Sequence, residues 1–223
     1  MNIQHHLSED SLLAYGAGNL SEAWGLMVAT HLALCPSCRA RAHEAESIGG
    51  ALLDALAPAT ETPATETNDD TAFAALMQSI DDMPVEVAQA PVRAAPSVLP
   101  EPLRSYVGGD LYALRWKRLG LGVCHIPIKT RDGKASARLL KVPAGRPVPL
   151  HSHTGEEMTL VLVGSFHTHQ GKFQRGDIET ADASIEHMPI AAPGEDCICL
   201  AVTDSPLRFR SLAARLVQPF IGI

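Results

Sequence analysis

"GRPVPLHSHTGEEMTLVLVG", residues 145–164, places two histidines two apart, a glutamate four residues further on and a glycine at each end. Side chains two apart on a strand project to the same side of a sheet, so His151 and His153 share a face. Glu157 opens the apolar run MTLVLV, which reads as the next strand. Outward from this stretch, LGVCHIPI, ARLLKVPAG, MTLVLVGSF and CICLAVTD are short apolar runs. They are separated by Arg131-Asp132-Gly133, Pro143-Ala144-Gly145, Gly164, Gly171, Gly176 and Pro193-Gly194. Many short strands punctuated by Gly and Pro predict an antiparallel β-sandwich or barrel.

Several side chains in this half carry chemistry. His151, His153 and Glu157 gain a fourth candidate in His187, which arrives from a neighbouring segment. Three imidazoles and a carboxylate suit Zn, Fe, Mn, Ni or Cu, and donor softness does not choose among them. His167 and His169 also lie two apart and read as surface or rim groups. Cys197 and Cys199 share one strand face, as buried core thiols or as an oxidant-responsive pair. Cys124 has no evident partner, and the closing LVQPFIGI reads as an edge segment or a docking tail.

The first third has a different period. Ser8 followed by Glu9 and Asp10 marks a helix start, because the hydroxyl caps a free N–H and the acids suit the positive end. Leu20, Trp24, Met27, Val28, His31 and Cys35 form one helical stripe. Pro36 suits a first turn and not a helix interior, so the chain turns there and restarts from Arg39 to about Leu56. A fourth helix, about 70–81, gathers Phe73, Leu76, Met77 and Ile80 on one face. PATETPATETN, residues 58–68, reads as a connector, and prolines 84, 91, 96, 100 and 102 make a semi-rigid tether.

"HLALCPSCRARAHE", residues 31–44, sets His31, Cys35 and Cys38 on an H-x3-C-x2-C spacing across the Pro36 corner. Three readings stand: a metal clamp, a redox dithiol, or two buried cysteines beside a histidine. A redox Cys-x-x-Cys follows a strand in a βαβ setting, and here a helix precedes it. Structural zinc takes four N or S ligands, and His5 or His6 lies one short helix upstream to supply the fourth.

Composition bounds the function. The 223 residues carry a net charge of −7, which disfavours direct nucleic-acid binding through phosphate contacts. No Lys or Arg lies between Arg41 and Arg93, while Glu44, Glu46, Asp54, Asp81 and Asp82 all do. Such a run is a solvated acidic surface or one that meets a basic partner. No segment approaches the apolar length of a membrane span, and five cysteines without a secretion signal read as reduced thiols or metal ligands. A cytoplasmic protein is expected.

Two resemblances follow from these motifs. Gly145, His151, His153, Glu157 and Gly164 fit G-x5-H-x-H-x3-E-x6-G, which resembles the first motif of the cupins, double-sheet β-barrels with metal ligands inside. The second cupin motif is partly kept. Gly176 and His187 match, while Asp182, Ser184 and Ala191 replace its Pro, Gly and Asn. An upstream His followed by H-x3-C-x2-C resembles the zinc-binding anti-sigma domain, which implies Zn2+ held by His6, His31, Cys35 and Cys38, with His5 adjacent.

Together the halves resemble the ChrR type of anti-sigma factor. This implies an α+β two-domain chain: a zinc-holding bundle of about four helices over 1–85, a Pro-rich linker over 86–102 and a cupin over 103–223. It also implies a repressor, not an enzyme, bound 1:1 to an extracytoplasmic-function sigma factor and released on a singlet-oxygen-like signal. Zn2+ or another divalent transition metal is implied at His151, His153, Glu157 and His187. The competing reading is a metal-dependent cupin oxygenase or isomerase with a regulatory N-terminal domain.

Overall fold

The protein is described by a computed structural model at residues 2–57, 69–83 and 97–210. The connector at 58–68, residues 84–96 of the Pro-rich tether and LVQPFIGI fall outside those residues. Among the described residues, those up to Gly50 and those from Ser97 pack as one compact unit, and those from Ala51 to Met83 belong to another.

Helix α1 (Glu9–Gly16) starts where Ser8 accepts a hydrogen bond from the Ser11 N–H at 3.2 Å. Helix α2 (Glu22–Leu34) ends at Cys35, whose backbone is extended. Pro36 forces this, since the residue before a proline is driven out of the helical region. Helix α3 (Pro36–Asp54) then begins on the proline itself, three residues ahead of the expected restart, because a first-turn N–H has no intrahelical acceptor and its absence in proline costs nothing. Helix α4 (Asp69–Asp81) lies in the second unit, with Phe73, Leu76, Met77 and Ile80 exposed.

Helix α5 (Glu101–Val107) begins in the last two residues of the stretch expected to be tether and runs into the stretch expected to be cupin. Its prolines, Pro100 and Pro102, fall at the cap and in the first turn, where proline is tolerated. Leu99 and Leu103 are fully buried, and α5 packs against α2.

The strands are β1 (Lys117–Gly120), β2 (Val123–Ile128), β3 (Ser136–Val142), β4 (His151–Ser152), β5 (Glu157–Val163) and β6 (Ser165–Thr168). They continue as β7 (Gly171–Gln174), β8 (Ile178–Ala181), β9 (Glu186–His187), β10 (Ile190–Ala191), β11 (Cys197–Thr203) and β12 (Arg208–Phe209). All pairings are antiparallel: a six-stranded sheet β1-β2-β3-β11-β5-β8 and two three-stranded sheets, β10-β6-β7 and β12-β4-β9. This is the expected α+β arrangement, helices first and a cupin-type sandwich after.

The six-stranded sheet is buried on both faces, which is why β11 reads as unbroken apolar sequence. Val142, Val161, Cys197 and Cys199 form the inner core with Phe166 and Phe173. Leu139, Leu160, Leu162, Leu200 and Val202 face the other way and share a core with Leu12, Met27, Val28 and Leu103. Helix α2 lies on this outer face, so Ala23, Leu26 and Thr30 are buried beside the predicted stripe. The turn at Arg131-Asp132-Gly133 meets its start: Asp132 accepts from the Glu22 N–H at 2.8 Å, and Trp24 Nε1 donates to Asp204 at 2.8 Å.

Two candidate metal centres

The register of β4 and β9 sets His151 directly opposite His187. His153 follows two residues after His151, and Glu157 enters from the start of β5. All four side chains are buried. The Nε2 atom of His187 lies 3.1 Å from Nε2 of both His151 and His153, and Glu157 Oε2 lies 3.3 Å from His153 and 3.5 Å from His187. Bonds of about 2.0–2.1 Å to one tetrahedral ion would separate nitrogen and oxygen donors by roughly 3.3 Å. Three lone-pair nitrogens crowded this closely repel unless a proton or a cation sits among them, so the donor set fits a metal.

Outer contacts aim these ligands. His151 Nδ1 lies 2.7 Å from the Pro149 carbonyl, which fixes the tautomer that turns Nε2 inward. His187 Nδ1 lies 3.4 Å from Glu179 Oε1. Without metal, burial alone would pull His187 down, but hydrogen bonds with Glu157 and Glu179 push its pKa up to about 9. Burial raises Glu157, and its hydrogen bonds with His151 and His187 outweigh this and bring it to about 2. The closing glycine of the motif is sterically required: Gly164 has φ +68°, and a Cβ there would meet the Asp196 carbonyl at 2.7 Å.

The second cluster straddles the Cys35-Pro36 corner. Cys35, at the C-cap of α2, lies four residues after His31 in its last turn, and Cys38 returns from the first turn of α3. His6 completes the set, with Nδ1 3.3 Å from Cys35 Sγ and 3.4 Å from Cys38 Sγ. The ligand atoms of all four lie within 4.8 Å of one another. His5, the adjacent candidate, turns the opposite way, its ring 4.3 Å from that of Phe173.

His31 is fully buried, and no hydrogen bond of ordinary geometry reaches either ring nitrogen. Burial pulls its pKa down to about 4, against the opposing Gly176 backbone and Asp177 carboxylate, so its imidazole is in the neutral, ligating form at pH 7. Burial pushes the Cys38 thiol up, so a thiolate there needs a cation beside it. Arg41 supplies part of that charge at 3.7 Å from Cys38 Sγ, itself held by Glu9 at 3.0 Å. Two sulfurs and two imidazoles gathered this closely are a donor set that fits one tetrahedral metal ion.

Other chemistry-bearing side chains resolve differently. His167 and His169 are exposed. Cys197 and Cys199 are both buried, 3.5 Å apart at sulfur. Asp177 and Glu179, which act on the N-terminal segment and on His187, carried no motif. Glu179 is signalled only by strand alternation, which turns it inward with Ala181. Among the described residues no helix is long and apolar enough to cross a membrane.

Known proteins share this arrangement. The family model for the ChrR cupin-like domain matches residues 106–206. The anti-sigma-E factor ChrR of Cereibacter sphaeroides is 47% identical over 223 residues, 100% of each chain. ChrR in the crystal structure of Rhodobacter sphaeroides SigE in complex with the anti-sigma ChrR is also similar. It aligns with a TM-score of 0.72 and 43% identity, covering 91% of this chain and 100% of that one. With a cupin domain, an N-terminal His/Cys cluster and end-to-end identity to ChrR, the chain belongs to the ChrR family of anti-sigma factors.

Proposed function

We infer that this chain is an anti-sigma factor that binds a sigma factor of the extracytoplasmic-function class in a 1:1 complex and so represses transcription. Its role is regulatory and not enzymatic. The observation that carries the reading is a row of uncovered apolar side chains, Phe73, Leu76, Met77 and Ile80 on α4. It occurs in a chain that aligns along the whole of a ChrR crystallised on SigE. Ile48, Leu52 and Leu53 on α3 are likewise exposed. An apolar helix face flanked by acids suits the basic helices with which a sigma factor meets DNA. Repression of this kind takes place where RNA polymerase works, in the cytoplasm.

In this reading residues 1–85 supply the sigma-binding surface, 86–102 the linker and 103–223 the signal-responsive cupin. Zinc held by His6, His31, Cys35 and Cys38 would pin the strap before α1 to the α2–α3 corner, so that metal binding contributes folding free energy where the sigma surface begins. His151, His153, Glu157 and His187 would hold zinc or another divalent transition metal, whose chemistry would be Lewis acidity or response to an oxidant. An oxidant of the singlet-oxygen kind acting at the cupin would then release the sigma factor.

Titration calorimetry of the full chain with the SigE relative from its own genome tests this, alongside transcription by the sigma-loaded polymerase. Stoichiometric binding with loss of transcription is expected, and Leu76→Asp with Ile80→Asp should weaken it about 100-fold or more, since both are apolar anchors. Full transcription in the presence of excess chain would overturn the reading.

A further inference from the structure

The N-terminal strap that carries His6 is built onto the cupin barrel, on the strand that also supports His187. Asp177, buried in the turn before β8, accepts the Gln4 and His5 N–H groups at 2.7 and 3.0 Å. Its other oxygen accepts the Gln174 N–H at 2.9 Å. The Ile178 N–H donates to the His5 carbonyl at 3.2 Å, and Gln174 Nε2 donates to the Asn2 carbonyl at 2.9 Å. The strap therefore covers the open edge of β8, the last strand of the six-stranded sheet. Only the next residue, His6, separates this anchored backbone from Cys35 and Cys38.

Two residues after Asp177, on β8, the buried Glu179 accepts the Thr168 hydroxyl at 2.8 Å and lies 3.4 Å from His187 Nδ1. Beyond Glu179, β5 pairs with β8 in a register that sets Glu157 against Ala181. One short strand and the turn before it thus set one carboxylate on the backbone next to His6 and another beside His187, with no loop between the two carboxylates to absorb a displacement.

We propose that β8 and the turn before it couple the two metal centres: Asp177 is the positioning residue for His6, and Glu179 is the positioning residue for His187. A change of occupancy or ligation at the cupin cluster shifts Glu179, β8 carries the shift to Asp177, and the strap carries it to His6. The same path works in reverse, because coupling between sites is reciprocal. This rests on reading both clusters as metal sites, and the test separates the two claims.

The experiment titrates the full chain with Co2+, whose thiolate charge-transfer absorption reports only the cluster with two cysteines, while total bound metal reports both. Two bound metals in the unmodified chain uphold the two-site reading, and fewer overturn it. Asp177→Asn should weaken Co2+ binding at the sulfur-containing cluster about 10–100-fold, the usual effect of losing a second-shell partner. Glu179→Gln should weaken the cupin cluster to a similar degree and shift the thiolate-reported affinity at least about fivefold, the lower end of allosteric coupling. Should either variant fail to fold, Gln174→Ala removes a second tie of the same strap, to the Asn2 carbonyl, and Thr168→Val removes the hydroxyl that Glu179 accepts; each should give the corresponding shift in smaller measure. Two metals bound with a thiolate titration unchanged by the cupin-side variant would overturn the coupling and leave the two-site reading standing.

Discussion

The two clusters are built on opposite plans. The cupin cluster sits on paired strands, with every ligand buried and His151 facing His187 across a ladder. The N-terminal cluster takes three ligands from eight consecutive residues at a helix corner and the fourth from a strap with no regular structure of its own. Rigid strands preset an all-N/O site that ligand chemistry can alter without unfolding it. A corner and a strap would draw part of their order from a bound ion, beyond what Asp177 gives the strap, so loss of that ion should loosen them. One arrangement suits a sensor and the other a clasp.

Breaking the clasp should have the largest effect. Cys35→Ser should remove one metal and lower sigma affinity about 1000-fold, or roughly 4 kcal/mol, with metal counted by mass spectrometry and binding by calorimetry. An unchanged metal count would reduce the corner to two buried thiols. Next is the platform on which α2 rests: Leu200 is fully buried between sheet and helices, so Leu200→Ala should cost about 2–5 kcal/mol in denaturant unfolding.

Acid should expose the difference between clusters in metal-free protein. The folded pKa of His31 lies near 4 against an ordinary value of 6.5, so between those values the unfolded chain binds the extra proton. Stability from this group is complete above pH 6.5 and falls by about 3 kcal/mol as pH drops to 4. Bound metal should blunt the loss, which melting curves with and without chelator would show. The smallest effect is expected at Ser8, which caps α1 at 3.2 Å: Ser8→Ala should cost about 1 kcal/mol.

Much of this was legible in the sequence because both ligand sets obey short-range geometry. His151 and His153 announce a shared strand face, and His31, Cys35 and Cys38 announce a helix corner. What escaped depends on contacts between distant segments. Choosing His6 over His5 requires the edge of β8, which turns alternate side chains toward Phe173 and toward the sulfurs. Asp177 and Glu179 read as ordinary acids until Gln4 and His187 arrive beside them. Helix α5 was hidden by Pro100 and Pro102, which signal a tether as readily as a helix start. The cover over the six-stranded sheet was written in CICLAVT, where both faces are apolar, yet nothing local says that the covering helix is α2.

The most direct test is native mass spectrometry of the full chain with its sigma factor, before and after removing each cluster. The account predicts a 1:1 complex with two metal ions on the unmodified chain, one for each group. His151→Ala with Glu157→Ala should lose one ion and keep the sigma factor, and Cys38→Ser should lose the other ion and the sigma factor together. A sigma complex that survives Cys38→Ser and dissolves on loss of the cupin ligands would contradict it.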